Sequence, residues 1–221
     1  MTWDEYATAW SGLHGGFDPR RASPLVRGWV RGAYEIGSWL SRRGVTPIVV
    51  TLTGLLLCLA VPLAALGGLP GLALGAALAL LAAAADGLDG AVAVVSGRVS
   101  RTGFVYDSVA DRLGELAWLA AFWSAGVPGW LVVAVGAVSW LHEYVRARAA
   151  AAGMPEIGVV TVGERPTRVA VTVSGLLVAA LAGVVLPDWT VPVLVVAVLV
   201  WAVLQTAGLL QLSLAVRHAL R

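Results

Sequence analysis

Asp86 and Asp89 stand three residues apart, and Asp107 and Asp111 stand four apart. On a helix each spacing puts both carboxylates on one face. A short polar turn, Ser96 to Thr102, lies between the pairs, so a helical hairpin would aim them at one another. Four carboxylates brought together without counter-charge repel and take up protons. Hard divalent cations such as Mg²⁺ or Mn²⁺ accept oxygen ligands, and four carboxylates suffice for two ions. Two ions polarise a pyrophosphate and stabilise in-line displacement at phosphorus. The structural alternative is ion pairing of the aspartates with Arg98, Arg101 and Arg112.

The elements that must carry these residues are membrane spans. The chain has 221 residues, of which 59% are hydrophobic and only 13% charged. A soluble domain of this length needs more charge to cover its surface. Residues 45–66, 67–85, 116–141, 169–187 and 189–216 contain no charge at all. Each run is long enough to cross a hydrocarbon core of ~30 Å at ~1.5 Å per helical residue. The 26 glycines and many alanines suit helices packed closely in lipid. Cys58, the single cysteine, falls inside the first run and reads as a small core residue. Residues 1–20 are polar and aromatic and lack the pattern of a cleavable signal peptide.

All fifteen basic residues are arginine, and their placement is uneven. Arg20, Arg21, Arg27, Arg31, Arg42 and Arg43 precede the first run; Arg98 and Arg101 follow the second. Arg146, Arg148, Arg165 and Arg168 lie between the fourth and fifth spans, and Arg217 and Arg221 close the chain. The Gly/Pro connections near residues 67–70, 126–129 and 186–189 carry none. Positive-inside bias therefore predicts an all-α integral membrane protein with six transmembrane helices and both termini cytoplasmic. The expected spans are 45–66, 70–95, 103–125, 128–150, 168–187 and 190–213. Residues 1–43 form a cytoplasmic juxtamembrane segment whose 20–43 stretch reads as an amphipathic surface helix, and 44–221 form the catalytic membrane domain. All four aspartates then fall in the inner half of the bilayer, where carboxylates are costly and mark function.

The full pattern reads D-x2-D-G-x2-A-x9-G-x3-D-x3-D, through Asp86, Asp89, Gly90, Ala93, Gly103, Asp107 and Asp111. It resembles the signature of the CDP-alcohol phosphotransferase family. The segments Tyr144–Ala149 and Glu164–Arg168 are similar to those of the family's actinobacterial phosphatidylinositol phosphate synthases, and the likeness covers roughly residues 40–185. The resemblance implies transfer of a phosphatidyl or similar group from a CDP-linked lipid, such as CDP-diacylglycerol, to an alcohol, with release of CMP. It implies metal binding by Asp86, Asp89, Asp107 and Asp111, with Asp111 as general base. Thr51, Gly90, Ser100 and Arg98 would contact the donor nucleotide; Arg146, Arg165 and Arg168 would hold the acceptor's phosphate. The acceptor would be a phosphorylated polyol such as inositol phosphate, the chain a homodimer, and the site would face the cytoplasm at the cell membrane.

Two positions depart from the family pattern. Val94 stands where an arginine is usual, and Ile48 where Asn or Asp is. Arg98, four residues beyond Val94, is placed to reach back along a continuing helix. Phosphatidylglycerophosphate-type synthesis fits the same chemistry. A cation transporter would want acids on several spans and at the midplane, and only Val94 and Ile48 favour a non-catalytic lipid- or nucleotide-binding protein. His14, His142 and His218 are scattered and make no metal spacing. Glu115, one turn after Asp111, could orient Arg112, extend the polar pocket or serve packing, and Glu143 is expected to pair with an arginine.

Overall fold

The computed structural model describes residues 1–13, 15–154 and 160–221; His14 lies outside the described residues. Eight α-helices are described: α1 (Trp3–Leu13), α2 (Pro24–Arg42), α3 (Pro47–Ala65), α4 (Gly68–Ser96), α5 (Arg101–Ser124), α6 (Gly129–Ala151), α7 (Arg165–Val185) and α8 (Thr190–Ala219). Short 3-10 turns at Pro19–Arg21 and Pro187–Trp189 precede α2 and α8. The all-helical expectation holds. Most helix limits fall within three residues of those expected from the sequence, although α8 continues to Ala219.

Among the described residues, α3, α4, α7 and α8 are long and apolar enough to cross a membrane. Multiple helices of this kind mark an integral membrane protein. The remaining two expected spans, α5 and α6, have 24 and 23 residues, ample length for a crossing. Their charges lower their hydropathy: Arg101, Asp107, Asp111, Arg112 and Glu115 on α5, and Glu143, Arg146 and Arg148 on α6.

The chain forms two compact units. The first comprises Met1–Leu56 and Leu81–Asp111. Helix α1 was not expected from the sequence, yet its start is a reciprocal cap. Thr2 N–H donates to Glu5 at 2.7 Å, and Glu5 N–H donates to Thr2 Oγ1 at 3.3 Å. Trp3, Tyr6 and Trp10 then lie on one helical face. They pack with Val30, Ala33 and Tyr34 of α2 and with Ala91, Val94 and Val95 of α4. A second cluster joins Leu40 and Val45 to Val50 of α3 and to Ala85, Leu88 and Val92 of α4. These contacts fix the rotation of α4, which decides where its aspartates point. The outward side of α2 exposes Leu25, Trp29, Ile36 and Trp39.

The second unit comprises Leu57–Leu80 and Arg112–Arg221. Its core holds Cys58, Val61, Trp118, Phe122, Leu176, Leu194, Trp201 and Leu212. Helix α8 runs along both α6 and α7. The segment before α7 lies against α8 with no room for a side chain at Gly208. A Cβ there would stand 2.7 Å from the Gly163 backbone nitrogen.

Gly208→Ala is therefore expected to destabilise the protein by about 1–3 kcal/mol, the usual cost of overpacking against backbone. A lowered unfolding temperature of the detergent-solubilised protein, read by intrinsic fluorescence, checks this.

Candidate metal centre and buried ion-pair network

Within the first unit, α4 ends at Gly97, whose φ of 67° suits the left-handed C-terminal cap. Arg98 N–H closes it by donating to the Ala93 carbonyl at 2.9 Å. Three residues later Ser100 starts α5: its Oγ accepts from Gly103 N–H at 3.0 Å. The turn is thus short and stopped on both sides, and it brings the two aspartate-bearing helices together.

Asp86, Asp107 and Asp111 converge, with one carboxylate oxygen from each lying within 4.8 Å of the other two. All three are half-buried. Oxygen donors at that separation, carrying three formal negative charges, fit a hard divalent cation such as Mg²⁺ or Mn²⁺. Asp89, the fourth aspartate, is only 6% exposed and has a different first partner. The Thr51 hydroxyl donates to its Oδ2 at 2.6 Å, which fixes that carboxylate against α3.

The positions expected to contact a nucleotide are distributed as follows. Gly90 is exposed, with open space where a Cβ would stand. Ser100 is engaged as the α5 cap described above. Arg98 is exposed and follows the helix end rather than continuing α4 by one turn. A reach back toward Val94 along a continuous helix is therefore not available. Val94 itself is buried against Tyr6 and Val30.

The second unit holds the arginines expected to meet an acceptor. Arg168 is 1% exposed. Its Nη1 donates to Glu115 and its Nη2 to Glu143, both at 2.7 Å. Its Nε donates to Gln205 Oε1 at 2.9 Å and to the Gly163 carbonyl at 3.0 Å. Arg112 Nη1 donates to Glu115 at 2.8 Å and lies 3.4 Å from Glu143. Of the roles open to Glu115, pairing with Arg112 is the one observed, and Glu143 pairs with arginines as expected. His142 also bonds locally, with Nε2 at 3.1 Å from Thr161 Oγ1 and Nδ1 at 3.5 Å from Glu143.

Arg146 pairs with Glu164, whose Oε1 also accepts from Thr161 N–H and Oγ1 at 2.9 Å. Arg165 lies over the Trp118 ring at 5.8 Å. Thr161, Gln205 and Gln211 were not singled out in the sequence. Gln211 accepts from Val162 N–H at 3.0 Å. The available signal was two amides in an otherwise uncharged run; Gln205 is buried and so requires partners, while Gln211 is exposed.

The family model of the CDP-alcohol phosphatidyltransferases matches residues 44–209. The phosphatidylinositol phosphate synthase of Mycolicibacterium smegmatis is 36% identical over 186 residues, covering 80% of this chain and 79% of the relative. The synthase of the same name from Cutibacterium acnes is 32% identical over 204 residues, covering 87% and 95%. Among solved structures, the Mycobacterium tuberculosis phosphatidylinositol phosphate synthase with CDP-DAG bound superposes with a TM-score of 0.70 at 30% identity, covering 84% of this chain and 94% of that one. The same enzyme with manganese and citrate gives 0.70 at 29% identity, covering 84% and 88%.

Replacing Asp86 or Asp107 by Asn is expected to lower Mn²⁺ affinity about tenfold or more, because affinity follows the charge count of the ligands. Titration of the purified protein with Mn²⁺, followed by electron paramagnetic resonance, measures the loss.

Proposed function

The chain belongs to the CDP-alcohol phosphatidyltransferase family, and we propose that this membrane enzyme transfers a phosphatidyl group from CDP-diacylglycerol to inositol phosphate. The observation that carries the chemistry is the convergence of Asp86, Asp107 and Asp111. The relatives named above, and an archaetidylinositol phosphate synthase of Pyrococcus horikoshii that is 32% identical over 150 residues, support an inositol phosphate acceptor.

Asp86, Asp107 and Asp111, with Asp89 beside them, would hold two Mg²⁺ or Mn²⁺ ions. When bound, the ions supply Lewis-acid stabilisation of charge on the donor's pyrophosphate. The chain's own groups do the rest. Thr51 orients Asp89 through its hydroxyl. Gly90 leaves room for the nucleotide, and Ser100 and Arg98 flank it in the turn. Asp111 takes the proton of the acceptor hydroxyl. That oxygen forms a bond to the phosphatidyl phosphorus as the bond to the bridging oxygen breaks, and CMP leaves with the electron pair. Arg146, Arg165 and Arg168 supply the positive charge that suits a phosphorylated acceptor.

The arginine pattern supports six spans with both termini in the cytoplasm. Arg residues cluster beside α2, in the α4–α5 turn, at the α6 end and α7 start, and after α8. The three remaining turns, at 66–67, 125–128 and 186–189, carry none. The active centre then faces the cytoplasm at the cell membrane, with α2 lying on the inner surface through Leu25, Trp29, Ile36 and Trp39. A homodimer follows from the family resemblance.

Purified protein given CDP-diacylglycerol, Mn²⁺ and inositol phosphate is expected to release CMP. Asp111→Asn should slow release by about 10²–10⁴-fold, the usual contribution of a general base. Release by that variant at the wild-type rate would overturn the assignment of Asp111.

A further inference from the structure

Four charged side chains of the second unit gather around one another. Arg112 and Arg168 face Glu115 and Glu143, so their formal charges cancel. The two carboxylates are not equivalent. Glu115 is 1% exposed and bridges both arginines, at 2.8 and 2.7 Å. Glu143 has a side chain 28% exposed and reaches them from the open edge of the set, 2.7 Å from Arg168 and 3.4 Å from Arg112. An anion arriving from solvent can therefore exchange with Glu143 and not with Glu115.

We propose that Glu143 is a specificity-determining residue for the acceptor, its carboxylate holding the place on Arg168 and Arg112 that an acceptor's phosphate group takes. The inference deepens the transferase reading and rests on it. Each nitrogen of Arg168 already has a partner. Its nitrogens meet Glu115, Glu143, Gln205, the Gly163 carbonyl and, at 3.4 Å, His142. A phosphate monoester reaches this guanidinium only after Glu143 swings away, because two anions on one cation pair repel. A neutral polyol does not need that displacement. Glu143 thus acts as an internal competitor, weakening phosphorylated acceptors and leaving uncharged ones unaffected. It also balances the second of the two arginines whenever the acceptor is absent, since Glu115 alone faces both.

The test is a binding measurement that needs no turnover. Full-length protein in detergent is titrated calorimetrically with inositol phosphate and, separately, with inositol. Glu143→Gln keeps an oxygen for Arg168 Nη2 and removes the charge. It is expected to bind inositol phosphate about tenfold more tightly than wild type, with inositol binding unchanged. Glu143→Ser serves as the second variant should the Gln protein unfold at a lower temperature. Equal or weaker binding of inositol phosphate by a variant that unfolds where wild type does overturns the proposal, and so does no measurable binding by either protein. CMP release by wild type tests the transferase reading on its own. A gain in affinity without CMP release removes that reading alone, and CMP release without the gain removes only the role of Glu143.

Discussion

A guanidinium can be buried among helices only if each of its donors meets an acceptor and its charge meets an opposite one. Arg168 satisfies that condition with a separate element in nearly every direction: Glu115 on α5, Glu143 on α6, Gln205 on α8 and the Gly163 carbonyl just before its own helix. In apolar surroundings, losing any one partner leaves a dehydrated charge, which is why such sets break as units. Four segments are tied at one point, and the close approach of Gly163 to Gly208 follows from the same tie. The segment before α7 is held in turn through Glu164, which gathers Thr161 and Arg146.

The first unit is organised by the opposite circumstance, an excess of like charge. Asp86, Asp107 and Asp111 bring three like charges to one place, and their oxygens converge. The hairpin achieves this with inexpensive parts: a left-handed glycine that stops one helix, a serine that starts the next, and small residues where α2 and α3 meet α4. A Cβ on Gly37 would stand 3.0 Å from the Ala91 Cβ, and one on Gly54 3.3 Å from the Ala85 Cβ. The backbone shape of the hairpin thus brings the three carboxylates to one place.

Much of this was legible in the sequence, because hydropathy and helical period are local signals. The apolar runs gave the helices nearly to their ends, and the spacing of the aspartates anticipated the convergence of Asp86, Asp107 and Asp111, with Asp89 turned to Thr51 instead. Other features were hidden for identifiable reasons. Helix α1 was marked by a Thr-x-x-Glu cap and an aromatic face, signals outweighed by the polar look of residues 1–20. Ser100 resembles a nucleotide contact by its position, and its hydroxyl also meets the need of a helix start. The reach of Arg98 assumed a continuous helix, which Gly97 interrupts. Above all, a sequence does not show which of several arginines turns inward. Arg168 and Arg146 look alike in one dimension, and helix rotation makes one a buried tie and leaves the other a quarter exposed.

The α4–α5 turn separates what may vary from what must keep its length. Gly97 and Ser100 each satisfy the backbone of one helix, so the residues between them carry little information about the carboxylates. The helical arms are different. One residue added between Asp89 and Ser96, or between Arg101 and Asp107, would turn an aspartate by ~100° about its axis. Both helices would survive such a change, with every side chain still present, and the three oxygens would no longer face a common point. The address of the carboxylate cluster is written in arm length, as phase, and a chain could keep its composition while losing it.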